Sequence, residues 1–115
     1  MADNFGFLGV YNVSDTIVDQ AGSSRYYKDT IRYGGGNKII FNGYSLDYSQ
    51  TYLSGKFANY NSNDIDIPLQ GNDKSYDPTI IGKGKWLGYG FEILYTRKIN
   101  GIVENRRAYY NKIAD

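Results

Sequence analysis

The 115-residue chain contains no cysteine and no histidine, and its single methionine is Met1. Those absences exclude whole classes of chemistry. Without Cys there is no disulfide framework. Without Cys or His there is no Ser–His or Cys–His nucleophile pair, no Cys/His zinc site and no usual haem or iron–sulfur ligand. Acid–base work would fall to carboxylates, Lys or Tyr, and no cofactor is expected. No charge of one sign dominates: 13 Lys+Arg stand against 12 Asp+Glu, a formal net charge of +1. Such a balance exerts no long-range pull on nucleic acid or on an anionic membrane. Long apolar runs are also missing, and nothing approaches the roughly 18 consecutive apolar residues of a transmembrane helix. The opening stretch Met1-Ala2-Asp3-Asn4-Phe5-Gly6-Phe7 has neither the basic start nor the apolar centre of a secretory signal.

What is present is a bias toward tyrosine and glycine, 13 and 14 residues, against only 2 prolines. Tyr suits pleated, half-buried surfaces and Gly marks turns and bulges, so the bias points to an all-β protein. With 22% charged and 41% hydrophobic residues, the composition is that of an ordinary globule occupying residues 1–115 as one domain. The chain reads as short strand-like runs closed by turn residues. Phe7 to Val13 comes first, with Tyr11 and Val13 on one face. Arg25 to Ile31 follows, stopped by Gly34-Gly35-Gly36-Asn37, and then Lys38-Ile39-Ile40-Phe41, ended by Asn42-Gly43. A fourth run spans Thr51 to Ala58, with Asn59-Tyr60-Asn61-Ser62-Asn63 as a polar turn. Asp64-Ile65-Asp66-Ile67 alternates strictly, and Pro68 is expected to end that strand or mark an edge. Gly71 to Pro78 is the longest loop. Ile80–Leu87 and Phe91–Arg97 pair across Gly88-Tyr89-Gly90, and Asn100-Gly101, a strong hairpin signal, leads into Asn105–Lys112. About eight strands at this spacing predict a single antiparallel up-and-down meander, closed as a small barrel or flattened as a sandwich.

Several segments resemble one known pattern in the same order. Gly9-Val10-Tyr11-Asn12-Val13-Ser14-Asp15-Thr16 resembles the opening strand of small lipocalin-like domains of bacterial exported proteins. Lys38-Ile39-Ile40-Phe41-Asn42 resembles their third strand. Leu53-Ser54-Gly55-Lys56-Phe57 with Asp64-Ile65-Asp66-Ile67-Pro68-Leu69-Gln70 resembles their central hairpin, and Ile81-Gly82-Lys83-Gly84 with Phe91-Glu92-Ile93-Leu94-Tyr95-Thr96 the pair near the end. The resemblance implies a calycin-type barrel with no enzymatic activity, and it carries over no functional residue. Where some relatives have cysteines, after the first strand and in the last, this chain has Ile17 and Arg106 nearby.

Each candidate site has a plainer structural counterpart. Asp64 and Asp66 share a strand face and offer oxygen ligands, but alternation with Ile65 and Ile67 is what a half-buried strand needs, and no metal is expected. Gly82-Lys83-Gly84-Lys85 lacks the long loop and helix of a phosphate cradle; it predicts small residues facing bulky ones across the sheet, with Trp86 on the same face. Arg97, Lys98, Arg106, Arg107 and Lys112, interleaved with Tyr109 and Tyr110, suggest a nucleic-acid stripe, yet neighbours on a strand face opposite ways and cannot line one groove. Asn12-Val13-Ser14 matches a glycosylation triplet by chance, in a strand.

Tyrosine carries the most information. Tyr11, Tyr52, Tyr95 and one of Tyr109/Tyr110 fit the core pattern. Tyr44, Tyr48, Tyr60, Tyr76 and Tyr89 fall in polar loops, where they supply contact area at low entropic cost or lid the barrel ends. The expected function is therefore non-enzymatic: a surface-acting structural or accessory component of a larger assembly, a virion or cell-surface apparatus. Its partners would be other proteins or its own copies, rather than nucleic acid. The alternative is a lipocalin-like carrier of a small apolar ligand or glycan. The inward set of Tyr11, Ile65, Ile67, Trp86, Phe91, Ile93 and Tyr95 is bulky enough to plug an eight-stranded barrel.

Overall fold

The structure, a computed structural model, describes residues 4–20, 24–41, 56–61, 63–74 and 78–115. A 3₁₀ turn, Asn4–Phe7, leads into eight strands: β1 (Gly9–Ile17), β2 (Arg25–Gly35), β3 (Lys38–Phe41), β4 (Lys56–Asn61), β5 (Asp64–Gln70), β6 (Thr79–Trp86), β7 (Gly90–Ile99) and β8 (Ile102–Ala114). Every strand pairs antiparallel with the next, and β8 returns to pair with β1. The meander thus closes as a barrel and not as a flattened sandwich. Among the described residues no helix is long and apolar enough to cross a membrane.

Period-two alternation produces the closure. β1 turns Tyr11, Val13 and Asp15 inward; β5 buries Ile65 and Ile67 and exposes Asp64 and Asp66. β7 buries Phe91, Ile93, Tyr95 and Arg97, and β8 buries Arg106, Ala108 and Tyr110. Asn100 and Gly101 both take positive φ, 50° and 82°, the type I′ geometry whose twist matches the flanking strands. The small inward residues of β6 work as expected. Gly82 lies opposite Tyr95 and Gly84 opposite Ile93, so the bulky β7 side chains occupy the space the glycines leave.

Two expectations need correction. Pro68 neither ends β5 nor marks an edge: the strand continues to Gln70, with its pairing to β6 shifted between Ile67 and Gln70. That irregularity accommodates the missing N–H of proline. The described part of the fourth strand is Lys56–Asn61, so Asn59 and Tyr60 belong to the ladder and not to a turn. Tyr60 keeps the inward parity of Ala58, and its ring packs edge-on to Phe7 at 4.8 Å. The remainder of that predicted run, residues 51–55, lies outside the described residues.

The lumen divides into an apolar and a polar part. At one end the 3₁₀ turn drops Phe7 into the barrel, where its ring lies 5.2 Å from Trp86 and 5.6 Å from Phe91. The Tyr11 hydroxyl donates to the Phe7 carbonyl at 2.7 Å and holds this plug in place. In mid-barrel a void of only about 10 Å³ remains among Phe41, Ile67, Ile80, Ile93, Tyr95 and Tyr110. The opposite end is filled by charge.

Candidate functional site

β1 and β8 finish and begin at that charged end, and their inward parity places Asp15 and Arg106 side by side. Asp15 is 0% exposed and Arg106 3%. The guanidinium bonds Asp15 Oδ1 at 3.0 Å and, through Nε, Glu104 Oε1 at 2.9 Å; Arg97 reaches the same Glu104 oxygen at 3.2 Å. Tyr27 donates its hydroxyl to Asp15 Oδ2 at 2.9 Å, and Tyr95 donates to the same atom. A second buried carboxylate, Asp29, accepts from Tyr110 at 2.7 Å. These bonds tie β1 and β2 to β7 and β8, across the seam where the barrel closes. Asp15, Arg106, Glu104, Tyr27 and Tyr95 thus bond to one another, and the cluster serves as a structural lock. The expectation of a basic C-terminal stripe is resolved here. Arg97 and Arg106 are interior, while Lys98 and Arg107 face out and Arg107 lies 3.6 Å from Glu92.

Burial raises the pKa of the Tyr11 phenol, with the Asp115 charge adding to the effect. Tyr110 is raised well above its ordinary value, first by burial and then by the Asp29 carboxylate it bonds. A raised folded-state pKa means stability is intact below the unfolded tyrosine value near 10 and is lost as pH rises past it. Alkaline titration should therefore lower stability by up to about 1.4 kcal/mol per pH unit for each such group above pH ~10. Absorbance at the phenolate band should show these two rings ionising only with unfolding. Early, reversible ionisation of all tyrosines in the folded barrel would refute it.

The outside of the same strands forms a concavity of about 710 Å³, open to solvent. Its floor is β1, whose outward residues there, Asn12 and Ser14, are short. Ser14 lies in register with Tyr26 of β2 on one side and Tyr109 of β8 on the other. The next outward row is Lys28, Asn12 and Asn111. Leu87 and Tyr89, in the β6–β7 turn, close one end of the trough, where the Lys112 N–H bonds the Tyr89 carbonyl at 3.1 Å. Tyr26 is 77% and Tyr89 64% exposed, whereas the Tyr109 hydroxyl is held by Glu92 at 3.2 Å. Two large rings flanking a floor of short polar side chains can hold a flat ligand and hydrogen-bond its edge.

Of the loop tyrosines expected at a contact surface, Tyr89 is exposed and lines this groove. Tyr60 is corrected: it is 4% exposed and belongs to the core, because the inward parity of β4 continues through it. Tyr44, Tyr48 and Tyr76 lie outside the described residues. Sequence reasoning missed Tyr26, although in the doublets Tyr26-Tyr27 and Tyr109-Tyr110 strand alternation requires one ring of each to point outward. It also missed Asp15, whose position two residues beyond Val13 marks it as inward. Asp64 and Asp66 are exposed, in register with Lys85 and Lys83. Compared with known proteins, the chain matches no family model, no curated protein and no solved structure.

Proposed function

We propose that the chain is a non-catalytic recognition module that works through its outer surface, as a structural or accessory component of a larger assembly on a virion or cell-surface apparatus. The contrast between inside and outside carries this reading: a void of about 10 Å³ within the barrel against a groove of about 710 Å³ on its wall. A carrier of drug-sized ligands needs a lumen of roughly 300 Å³ or more. The interior is instead occupied by its own rings and ion pairs, which makes the lipocalin-like kinship, if extended to this chain, one of architecture without the cup. Exposed Tyr26, Tyr89 and Tyr109 supply the rigid, amphipathic contact area that binding surfaces favour.

Size-exclusion chromatography with light scattering tests the assembly. The expected species contains two or more chains and falls to one chain in a Tyr26→Ala/Tyr89→Ala/Tyr109→Ala variant. A chain that stays monomeric at every concentration, and that takes up an apolar fluorescent probe saturably, would be a carrier instead.

A further inference from the structure

The groove over β1 has a shape and a charge that name a ligand class. We propose that it binds an oligosaccharide through an acidic sugar, with the sugar ring held between Tyr26 and Tyr109 and its carboxylate met by Lys28. The proposal rests on the surface-acting reading above.

Ser14 is the centre of a row whose two ends are tyrosines on the adjacent strands. With strands about 4.8 Å apart, the two rings stand on backbones roughly 10 Å from each other. Two van der Waals contacts of about 3.5–4 Å plus the thickness of one puckered ring fill that width. The floor offers Asn12, Ser14 and Asn111, short neutral side chains that both donate and accept, as sugar hydroxyls require. The walls, with Tyr26, Leu87, Tyr89 and Tyr109, are mainly apolar and suit the faces of sugar rings, while the amides and the hydroxyl of the floor suit their edges.

Charge narrows the class further. Lys28 is the one formally charged residue of the twelve described residues that line the groove, and it is exposed with no ion pair among the described residues. An unpaired ammonium beside a neutral floor complements a single carboxylate. A volume of about 710 Å³ suits two or three sugar rings, within the roughly 300–1,000 Å³ of small-ligand sites. An extended peptide adding to a sheet edge would not occupy the groove, because β1 and β8 are each paired on both sides and β2 turns its paired side to β1 there.

Isothermal titration calorimetry of the intact chain with trigalacturonic acid and with maltotriose is the test. The expected result is a Kd for the acidic trisaccharide of about 1 mM or tighter, with the neutral one at least ~10-fold weaker. Tyr26→Ala and Tyr109→Ala should each weaken the acidic ligand about tenfold, Lys28→Gln should abolish the preference for it, and Ser14→Phe should fill the slot and abolish binding. Circular dichroism establishes that each variant remains folded. No saturable binding of trigalacturonic acid by the folded wild type, or unchanged binding in Ser14→Phe, overturns the proposal. Should the sugar fail while Ser14→Phe breaks up the assembly seen by light scattering, the occupant is a protein: the sugar assignment falls and the surface-acting reading stands. Sugar binding by a strictly monomeric chain does the reverse, keeping the groove's ligand and removing the assembly.

Discussion

Asp15→Ala should lower the stability of the barrel by about 3–5 kcal/mol, the usual cost of removing one partner from a buried ion pair. For a chain of this length that corresponds to a fall in Tm of roughly 10–20 °C. The carboxylate has no exposure and accepts from three groups, Arg106, Tyr27 and Tyr95. Its loss strands the Arg106 guanidinium, which keeps only Glu104. Burial by itself pulls the pKa of Arg106 down, but Tyr95 and Asp15 more than reverse that, so the group stays charged and must be paired. The hydroxyls of Tyr27 and Tyr95 lose the bond to Asp15 in the same step. The size of the effect comes from what is left unpaired, not from the worth of the pair. Asp15→Leu with Arg106→Met should accordingly cost less than Asp15→Ala alone, since no guanidinium then remains buried without its carboxylate. Urea denaturation of the three variants gives the numbers. A loss below about 1 kcal/mol for Asp15→Ala, the scale of a solvent-exposed pair, would mean that water reaches this end of the barrel.

The lock formed by these residues shows where sequence alone stops. Strand number, order and inward apolar residues were legible because alternation is local: Ile65 and Ile67, or Phe91, Ile93 and Tyr95, declare their face within five residues. Asn100-Gly101 was equally legible, because two consecutive positive φ values demand that pair of residues. Asp15 and Arg106 are separated by 91 positions in the chain, and their bond exists only because β8 closes on β1. Each reads locally as an ordinary surface charge. Parity would have marked both as inward, Asp15 with Tyr11 and Val13, Arg106 with Ala108 and Tyr110, but composition argues the other way, since charges are rarely buried unless paired. The groove was partly legible for the same reason. Tyr89 stands in a turn rich in glycine, whereas Tyr26 and Tyr109 become its walls only when β2 and β8 are known to flank β1. Tyr60 misled because Asn59 and Asn61 made a strand look like a turn.

Gly82→Val carries the other large expected effect, and two principles disagree about its sign. Valine is a far better strand residue than glycine, and on propensity alone the change should stabilise by up to about 1 kcal/mol. The geometry opposes it. A Cβ at position 82 would lie 2.4 Å from the Leu94 carbonyl oxygen and 2.5 Å from the Tyr95 Cβ, both on the facing strand. Neither atom belongs to the free end of a side chain, so no rotamer change relieves the contact, and β7 cannot retreat because β8 holds it across ten paired residues. Tyr95 would also be drawn from Asp15, loosening the lock at the barrel's charged end. The clash should win: Gly82→Val should cost more than about 3 kcal/mol, beyond the 1–3 kcal/mol of ordinary overpacking. Lys83→Val, one residue on and exposed, should change stability by no more than about 0.5 kcal/mol, and the pair read side by side in urea tests the register itself. If Gly82→Val proved neutral or stabilising, β6 would have to present its other face to the lumen, and the barrel would then be filled by Lys83 and Lys85 in place of the rings that close it.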